Sequence, residues 1–356
     1  MTAEPPQSSR SLRHYRTGDS DLDAAVEELA LATGRPDDLD LIAELLVSSV
    51  RLSKEDVDRG ELKLVNSALK ELRHSFAVFA PYRGVRKATV FGSARISEGD
   101  PAYETAASFG KAIAERNWMV ITGAGPGIMA AGMEGAGSDR SFGVNIQLPF
   151  ESEANEFITD DPKLINFRYF FTRKVMFMKE SHGYALLPGG FGTMDEAFEL
   201  LTLMQTGKSA IAPVVLLDPP ESTYWAYWSE FVETELLDGG LISPADLSLV
   251  FSTNDPVAAA DHICNFYSTY HSMRYVGKRL ILRLERQVRD EELEHLNAEF
   301  SDLLVDGTIR RCEPSKVEIA DNDRLDLSRL SMTFDRHAHA RLRQMIDFLN
   351  SGEQSC

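Results

Sequence analysis

Short, continuously apolar segments alternate with amphipathic segments through the middle of the chain. KATVF (87–91) ends in a Gly-Ser turn, and WMVITGAGPGIMAAGMEGA (118–136) repeats the order of apolar run, turn and amphipathic segment. Four more apolar runs are predicted to be strands: FGVNIQL (142–148), GYALL (183–187), APVVLLD (212–218) and LSLVF (247–251). Strands that are apolar on both faces and alternate with helices indicate a parallel sheet covered on both sides. The pattern predicts an α/β fold, a Rossmann-like doubly wound parallel sheet over residues 83–272.

The flanking segments carry different patterns. Residues 1–20 are rich in Pro, Ser and Arg and are predicted to form a disordered tail. Residues 21–82 are polar with helical periodicity, which predicts a helical extension without chemistry of its own. Residues 273–356 carry strand-like and helical segments in the order βαββα, which predicts a small α+β appendage.

Charge and composition narrow the range of partners. The chain has a net charge of -18, with 43% hydrophobic and 26% charged residues. Such a charge repels nucleic acid and anionic membranes, so neither is expected as a partner, although a small anion can bind where cations concentrate. No apolar run reaches the roughly 18 residues of a membrane helix, and the N-terminus lacks a signal-peptide core, so a cytoplasmic location is expected.

Three widely spaced cysteines complete this picture. Cys264, Cys312 and Cys356 have neither metal-binding spacing nor the pattern of a disulfide framework. We therefore expect no metal site and a reducing environment.

Three glycine-containing turns are predicted at one edge of the sheet. They are GSAR (92–95), TGAGPGIM (122–129) and PGGFGT (188–193), each after a predicted strand. In doubly wound sheets ligands bind at the carboxyl ends of the strands, where backbone N–H groups and helix dipoles favour phosphate. One such turn is weak evidence, but three in one sheet predict a nucleotide or sugar-phosphate site.

Dinucleotide binding and ATP hydrolysis are both disfavoured. The turn GAGPG (123–127) has the spacing GxGxG instead of GxGxxG, and the next strand ends in Asn145 and Gln147, where an acid would hold the ribose hydroxyls. The chain also lacks a Walker lysine. No cofactor is expected.

Glu196 has two interpretations. Thr193-x-x-Glu196 fits a capping box, in which the threonine caps a helix from Thr193 to Gln205 and the glutamate bonds the backbone of the cap. Alternatively, a carboxylate kept beside an anion-binding loop, with Asp195 next to it, indicates chemistry on the sugar or the base. The pattern alone leaves both open.

The segment FRYFFTRKVMFMKES (167–181) is predicted to be a helix that supplies cations. Arg173 and Lys174 precede the third turn by one strand and could clamp an anion. An apolar face predicted to be core is formed by Phe167, Phe170, Phe171, Val175, Phe177 and Met178. Tyr169 and Met176 are expected on the opposite face, where exposed apolar groups indicate a contact surface, unless the N-terminal helices cover them.

The segment 167–208 resembles the LOG family, long described as possible lysine decarboxylases, whose signature is PGGxGTxxE preceded by an Arg-Lys pair. The signature stands here at 188–196, and VFGSAR (90–95) and TGAGPGIMAAG (122–132) resemble the family's first two nucleotide-contacting turns. The resemblance covers about residues 87–218. It departs at Ala124, where relatives often carry glycine, and leaves both extensions outside.

The resemblance implies a phosphoribohydrolase, which cleaves a nucleoside 5'-monophosphate into free base and ribose 5-phosphate. It implies Arg173 and Glu196 as the essential pair, and dimers or larger homo-oligomers. Together with the three turns, it predicts these substrate-binding residues: Gly92, Ser93, Gly123, Gly125, Lys174, Gly189, Gly190, Phe191, Gly192, Thr193, Asp195 and Thr202.

Two functions other than hydrolysis are compatible with part of these residues. Pyridoxal-dependent decarboxylation needs a Schiff-base lysine and an acid at the pyridine nitrogen, and only Lys174 is available. A nucleotide sensor or carrier on the same fold is the stronger alternative, because fold alone does not define activity. The presence of both Arg173 and Glu196 favours the enzyme.

Overall fold

The computed structural model describes residues 15–147 and 154–351. It divides into two compact units, residues 1–70 and residues 71–356. The predicted tail falls mostly on residues 1–14, which lie outside the described residues.

The first unit is helical, as its polar periodicity predicts. Its helices are α1 (Ser20–Ala32), α2 (Leu39–Leu52) and the first part of α3 (Arg59–Phe79). The Asp19 side chain caps α1 by accepting from the amides of Asp21 and Leu22. A small core is formed by Val26, Ala30, Ala43 and Val47.

The second unit contains a parallel seven-stranded sheet with helices between its strands. The strands are β1 (Lys87–Phe91), β2 (Met119–Thr122), β3 (Ser141–Ile146), β4 (Leu164–Phe167), β5 (Gly183–Leu186), β6 (Val214–Leu217) and β7 (Val250–Thr253). The helices are α4 (Pro101–Glu115), α5 (Ile128–Ala136), α6 (Phe170–Glu180), α7 (Phe191–Gln205), α8 (Tyr224–Phe231) and α9 (Pro256–Asn265).

The strand order is β4-β3-β2-β1-β5-β6-β7, and all six pairings are parallel. The chain runs outward from β1 to β4 and then returns to place β5 on the other side of β1. The order therefore reverses between β1 and β5, which is where doubly wound sheets bind ligands. The prediction of a doubly wound α/β fold is confirmed.

Each face of the sheet has its own hydrophobic core, because successive side chains of a strand point to opposite faces. Val90 of β1 and Val120 of β2 pack into one core. Phe91 and Ile121, the next residues, pack into the other. This double burial explains why the strands read as continuous apolar runs.

The region before α6 corrects the sequence prediction. Residues 164–167 form β4, which pairs with β3, so Phe167 belongs to a strand and α6 begins at Phe170. The predicted apolar face is wrong for this reason, since its period started from a strand residue. Met176, predicted to point outward, is fully buried. The exposed apolar residues are Phe170, Phe171 and Val175, at 51%, 48% and 48% exposure.

A second sheet follows, within the same unit. Its elements are β8 (Tyr270–Val276), β9 (Arg279–Leu284), α10 (Asp290–Glu299), β10 (Leu304–Arg311), α11 (Lys316–Ala320), β11 (Ser328–Phe334) and α12 (His339–Ser351). The antiparallel order is β10-β11-β9-β8. The predicted βαββα order lacked β8 and α11. β8 has mostly half-buried residues without clear alternation, and α11 is barely more than one turn.

The second glycine turn packs directly on the backbone of the first. The Ile128 amide donates to the Ser93 carbonyl over 3.1 Å. Gly127 has a φ of +69°, and a Cβ placed there would lie 2.5 Å from the Ser93 oxygen. Glycine is therefore required at 127 for its dihedral angles and for space.

We expect Gly127→Ala to destabilise the protein more than Gly137→Ala, by about 1–3 kcal/mol of unfolding free energy. Gly137 also has a positive φ, of +80°, but a Cβ there would have nothing within 4 Å. The control therefore carries only the cost of the backbone conformation, about 1–3 kcal/mol. Equilibrium denaturation by urea measures both variants, and equal losses would contradict the close approach of the two turns.

Candidate active site

The carboxyl ends of β1, β2 and β5 open into one cavity of about 730 Å³. Its walls come from the three glycine-containing turns and from α6 and α7. The lining residues are Phe91, Gly92, Ser93, Ala94, Arg95, Gly123, Met129, Phe170, Arg173 and every residue from 189 to 196. The cavity thus brings together Arg173, Glu196 and nine of the predicted substrate-binding residues: Gly92, Ser93, Gly123, Gly189, Gly190, Phe191, Gly192, Thr193 and Asp195.

Three predicted residues lie away from the cavity wall. The Gly125 carbonyl accepts from Asn155 Nδ2 over 2.9 Å. Thr202 lines a separate cavity of about 370 Å³ beside α7 and α8. Lys174 contacts the carboxylates of α7 and is not part of the lining.

The third turn leads directly into the N-terminus of α7. The helix begins at Phe191, and its N-cap Gly190 makes no side-chain capping bond. The amides of Thr193 and Met194 both donate to the Gly190 carbonyl, over 3.1 Å. The amides of Phe191 and Gly192, in the first turn, have no acceptor inside the helix. Together with the helix dipole they make this part of the cavity wall favourable for an anion.

This geometry corrects the capping-box interpretation. Because α7 begins at Phe191, Thr193 is the third residue of the helix and Glu196 the sixth. Neither residue occupies the position that a capping box requires. The prediction that the helix starts at Thr193 is wrong by two residues, and Glu196 needs another explanation.

The glycine loop before α7 is held tightly. A Cβ on Gly189 would lie 2.1 Å from Thr193 Oγ1, so no larger residue fits there without rearrangement. Tyr224 donates its hydroxyl hydrogen to the Gly189 carbonyl over 2.5 Å. The Ser93 amide donates to the Pro188 carbonyl over 3.1 Å and joins this loop to the first turn.

Arg173 is held at the cavity wall by a contact with β3 and by packing against its own helix. Its Nε donates to the Val144 carbonyl over 2.8 Å, and its guanidinium lies 5.2 Å from the centre of the Phe177 ring. The missing side chain of Gly123 makes room for it, because a Cβ there would lie 2.4 Å from an Nη atom. This placement puts a cation in the same cavity as the α7 amides.

Glu196 is nearly buried, at 6% exposure, beside Lys174. Lys174 Nζ lies 2.8 Å from Asp195, 2.7 Å from Glu199 and 3.4 Å from Glu196 Oε2. The last distance is that of an ion pair, but within the described part of the chain Oε2 has no partner with hydrogen-bond geometry. Oε2 is therefore a buried atom compensated by charge alone, in a residue that lines the cavity.

Burial and the neighbouring cations have opposite effects on the pKa of Glu196. Burial raises the pKa of Glu196, and the attraction of Lys174 and Arg173 offsets this only in part. Burial alone would lower the pKa of Lys174, but its hydrogen bonds to Asp195 and Glu199 raise it instead. The hydrogen bonds of Lys174 are made with Asp195 and Glu199. The negative charge of Glu196, at 3.4 Å from the same ammonium group, is therefore only partly compensated.

Several lining residues were not predicted. Arg95 adds a second cation, and its amide donates to Ser93 Oγ over 3.1 Å. Its position as the last residue of the turn GSAR was a usable signal. Met129 and Phe170 also line the cavity, and no charge or glycine pattern distinguished them from core residues.

Residues 15–147 and 154–351 contain neither a candidate membrane-spanning helix nor a candidate metal-binding group. No helix there is long and apolar enough to cross a bilayer. No group of three or more His, Cys, Asp or Glu side chains there is arranged to hold a metal ion. Cys264 and Cys312 are free and half-buried.

Comparison with known proteins relates the chain to enzymes of nucleotide metabolism. A family model described as "Possible lysine decarboxylase" matches residues 127–263. The cytokinin riboside 5'-monophosphate phosphoribohydrolase of Mycobacterium tuberculosis is 30% identical over 147 residues, which cover 40% of this chain and 74% of that protein. The pyrimidine/purine nucleotide 5'-monophosphate nucleosidase of Escherichia coli K12 is 29% identical over 154 residues.

Coverage of the relatives differs. The match spans only 33% of the length of the Escherichia coli nucleosidase. Among solved structures, a molybdenum cofactor carrier protein of Chlamydomonas reinhardtii is 23% identical with a TM-score of 0.34, and the match covers 49% of this chain and 94% of that one. A molybdenum cofactor binding protein of Rippkaea orientalis is 18% identical with a TM-score of 0.33, covering 48% and 90%. The mycobacterial relative, together with the matched family model, shows that the chain belongs to the LOG family, whose model carries the lysine decarboxylase description.

Proposed function

We propose that the protein is a phosphoribohydrolase that cleaves the N-glycosidic bond of nucleoside 5'-monophosphates to release free base and ribose 5-phosphate. The observation that carries this proposal is the placement of Glu196, buried and with one oxygen that has no hydrogen-bond partner, in the same cavity as the N-terminus of α7. The names of the mycobacterial and Escherichia coli relatives supply the substrate class. Hydrolysis of this bond requires only water as the second reactant.

The 5'-phosphate would bind at the N-terminus of α7. The amides of Phe191 and Gly192 donate to phosphate oxygens, and the guanidinium of Arg173 neutralises the charge and fixes the orientation of the nucleotide. Arg95 lines the same cavity and adds to its positive potential. Binding energy from the phosphate would thus position the ribose for cleavage.

Glu196 would act on the ribose. Cleavage of an N-glycosidic bond proceeds through a transition state that resembles an oxocarbenium ion, and a carboxylate held in a buried site stabilises that charge. Burial raises the pKa of Glu196, so its surroundings stabilise the negative charge poorly. In such a desolvated site, the attraction between the carboxylate and a positive transition state is stronger than in water. The carboxylate could also orient the ribose hydroxyls or activate water.

Product release from AMP and adenosine tests the reaction and its dependence on the phosphate. We expect free adenine and ribose 5-phosphate from AMP. Adenosine should be cleaved more slowly than AMP, by roughly 10³-fold or more, because several charge-assisted hydrogen bonds lose their acceptor. Chromatography of the products measures both rates, and a panel with GMP and isopentenylated AMP identifies the preferred base. Arg173→Ala should lose most of the AMP hydrolysis. Binding of AMP without release of base from any of these nucleotides would support a sensor or carrier instead.

Substitution of Glu196 tests the role of its carboxylate. We expect Glu196→Gln to lower turnover of AMP by at least roughly 10²–10³-fold, because the amide cannot stabilise a positive transition state. Glu199→Gln is the matched control, since Glu199 contacts the same Lys174 but does not line the cavity. Near-normal turnover in Glu196→Gln would remove this residue from the mechanism.

Stability separates loss of chemistry from loss of fold in that variant. The folded protein raises the pKa of Glu196 above its ordinary value of 4.5, so the folded state binds more protons than the unfolded state, and stability falls as pH rises through this range. Glu196→Gln removes this cost. It should be at least as stable as the native protein at pH 7, with the difference disappearing below about pH 4.5.

The protein is further proposed to be a homodimer or larger assembly. The reason differs from the predicted one, because Met176 is buried in its own core. Phe170, Phe171 and Val175 form the exposed apolar face of α6 instead, and Tyr169 stacks on Phe171 with ring centres 5.5 Å apart. Phe170 also lines the cavity, so a second copy on this face would cover part of the substrate site.

Light scattering tests the assembly. The chain mass is 39.6 kDa, so we expect a mass of about twice that value or more at micromolar concentration. Phe171→Glu should give monomers, because it places a charge in the apolar contact. Val305→Glu, at a residue that is 67% exposed elsewhere, should leave the mass unchanged. A native mass near that of one chain would refute the proposal.

A further inference from the structure

A second cavity, of about 410 Å³, lies at the opposite edge of the parallel sheet. It lies where β1 and β5 begin, and β8 of the second sheet forms another wall. Its basic and imidazole side chains are Arg83, Arg86, Lys179, His182, His271 and Arg324. Glu285 is its single lining carboxylate. This set differs from the first cavity in every residue.

The cations of this cavity are poorly neutralised by the protein. Lys179 pairs with Glu180. Within residues 15–147 and 154–351, Arg83, Arg86 and Arg324 form no ion pair. The chain as a whole carries a net charge of -18, with carboxylates in excess. Three arginines that line one cavity with a single carboxylate, Glu285, and without an ion pair are therefore a local reversal of the protein's charge.

The partial burial of Arg86 is unfavourable for its positive charge. Its guanidinium lies 3.7 Å from the centre of the Tyr267 ring and 5.9 Å from that of Trp118. Burial lowers its pKa, although the field of Glu285 acts in the opposite direction. Stacking on a ring leaves the N–H groups in the guanidinium plane available to oxygen acceptors. A partly buried cation with its donors available is stabilised when an anion enters.

The two histidines of the cavity respond to the same positive potential. His182 Nδ1 accepts from the Lys87 amide over 3.3 Å. Burial, reinforced by Arg86, lowers the pKa of His182 to about 3. Burial lowers the pKa of His271 too, and both Arg86 and Arg324 add to this effect. Arg86 and Arg324, from distant parts of the sequence, therefore act on one volume of space.

We propose that this second cavity is a binding site for a small anion that carries two or more phosphate charges. Arg83 and Arg86 come from the segment before β1, and Arg324 from the segment before β11, so the cations surround the space from different sides. A single phosphate would reach some of these groups, whereas a pyrophosphate unit would reach more of them. The site is independent of the proposed hydrolysis.

The two cavities share helix α6. Phe170 and Arg173, in its first half, line the first cavity, and Met178 and Lys179, near its end, line the second. The helix has 11 residues, so the two groups are separated by roughly 10 Å along its axis. Phosphate can thus be expected at both cavities, and the test must assign each binding event to one of them.

The experiment is calorimetric titration of the full chain with sodium pyrophosphate at low ionic strength. The double variant Arg83→Gln with Arg324→Gln should weaken binding by at least about tenfold, because each arginine supplies hydrogen bonds to a charged acceptor. Both side chains are exposed, so the fold should be retained, and thermal melting checks this. Lys111→Gln with Arg310→Gln is the matched control, since these two exposed cations line neither cavity.

Arg173→Ala completes the design by weakening the first cavity alone. We expect this variant to retain the pyrophosphate binding that the double arginine variant loses. Higher salt should weaken that binding, as it does for any charge-driven association. Binding that is lost in Arg173→Ala, or that is equal in the double arginine variant and the lysine-arginine control, would overturn the second site.

Discussion

Two backbone hydrogen bonds tie the three glycine-containing turns into one structure. The Ser93 amide donates to the Pro188 carbonyl, and the Ser93 carbonyl accepts from the Ile128 amide. A single residue of the first turn therefore holds both of the others at about 3 Å. Parallel strands bring their carboxyl ends to one edge of the sheet, but only contacts of this kind bring the turns within reach of one ligand. The glycines follow from this constraint, because side chains at Gly92 or Gly127 would separate the turns.

At the cavity, the first-turn amides of α7 lie close to an acidic face of the same helix, and Lys174 compensates part of the negative charge of that face. α7 presents amides at its first turn and carboxylates one turn later, and these would otherwise compete for the same space. Lys174 compensates Asp195 and Glu199 at hydrogen-bond distance, while Glu196 stays at 3.4 Å. The lysine therefore acts as a positioning residue for the acidic face. Glu196 keeps a raised pKa even so, which distinguishes it from a carboxylate that serves only to bind a lysine.

Sequence reasoning was accurate where a pattern has one physical cause. Continuous apolar runs that alternate with helices have few explanations besides a parallel sheet, and the glycine turns that follow β1, β2 and β5 had to meet at its edge. It failed where competing causes give the same pattern. β4 is only four residues long and contains Asn166, and no strand was predicted there. β7 begins at Val250 because Pro244–Leu249 forms a 3-10 helix, although all of LSLVF is apolar enough for a strand.

The candidate site was predictable in its composition, but its geometry was not. Thr193 and Glu196 have the spacing of a capping box, yet the helix starts at Phe191, because Gly190 can serve as N-cap without a side-chain acceptor. Helix starts are set by such local choices, which a spacing rule does not resolve. The two-residue difference moves Glu196 from a capping role into the interior of α7. Gly125 and Thr202 belong to the right elements, but their positions in those elements point away from the cavity.

The Arg173-Lys174 pair shows why adjacency in sequence does not mean shared function on a helix. Successive residues of an α-helix are about 100° apart around its axis, so two neighbours cannot contact the same ligand group in the same way. Arg173 extends toward β3 and the Gly123 turn and reaches the cavity wall. Lys174 extends toward α7 and its carboxylates. One turn of α6 therefore places one cation at the cavity wall and another beside the carboxylates of α7, and an exchange of the two residues would leave the acidic face of α7 uncompensated.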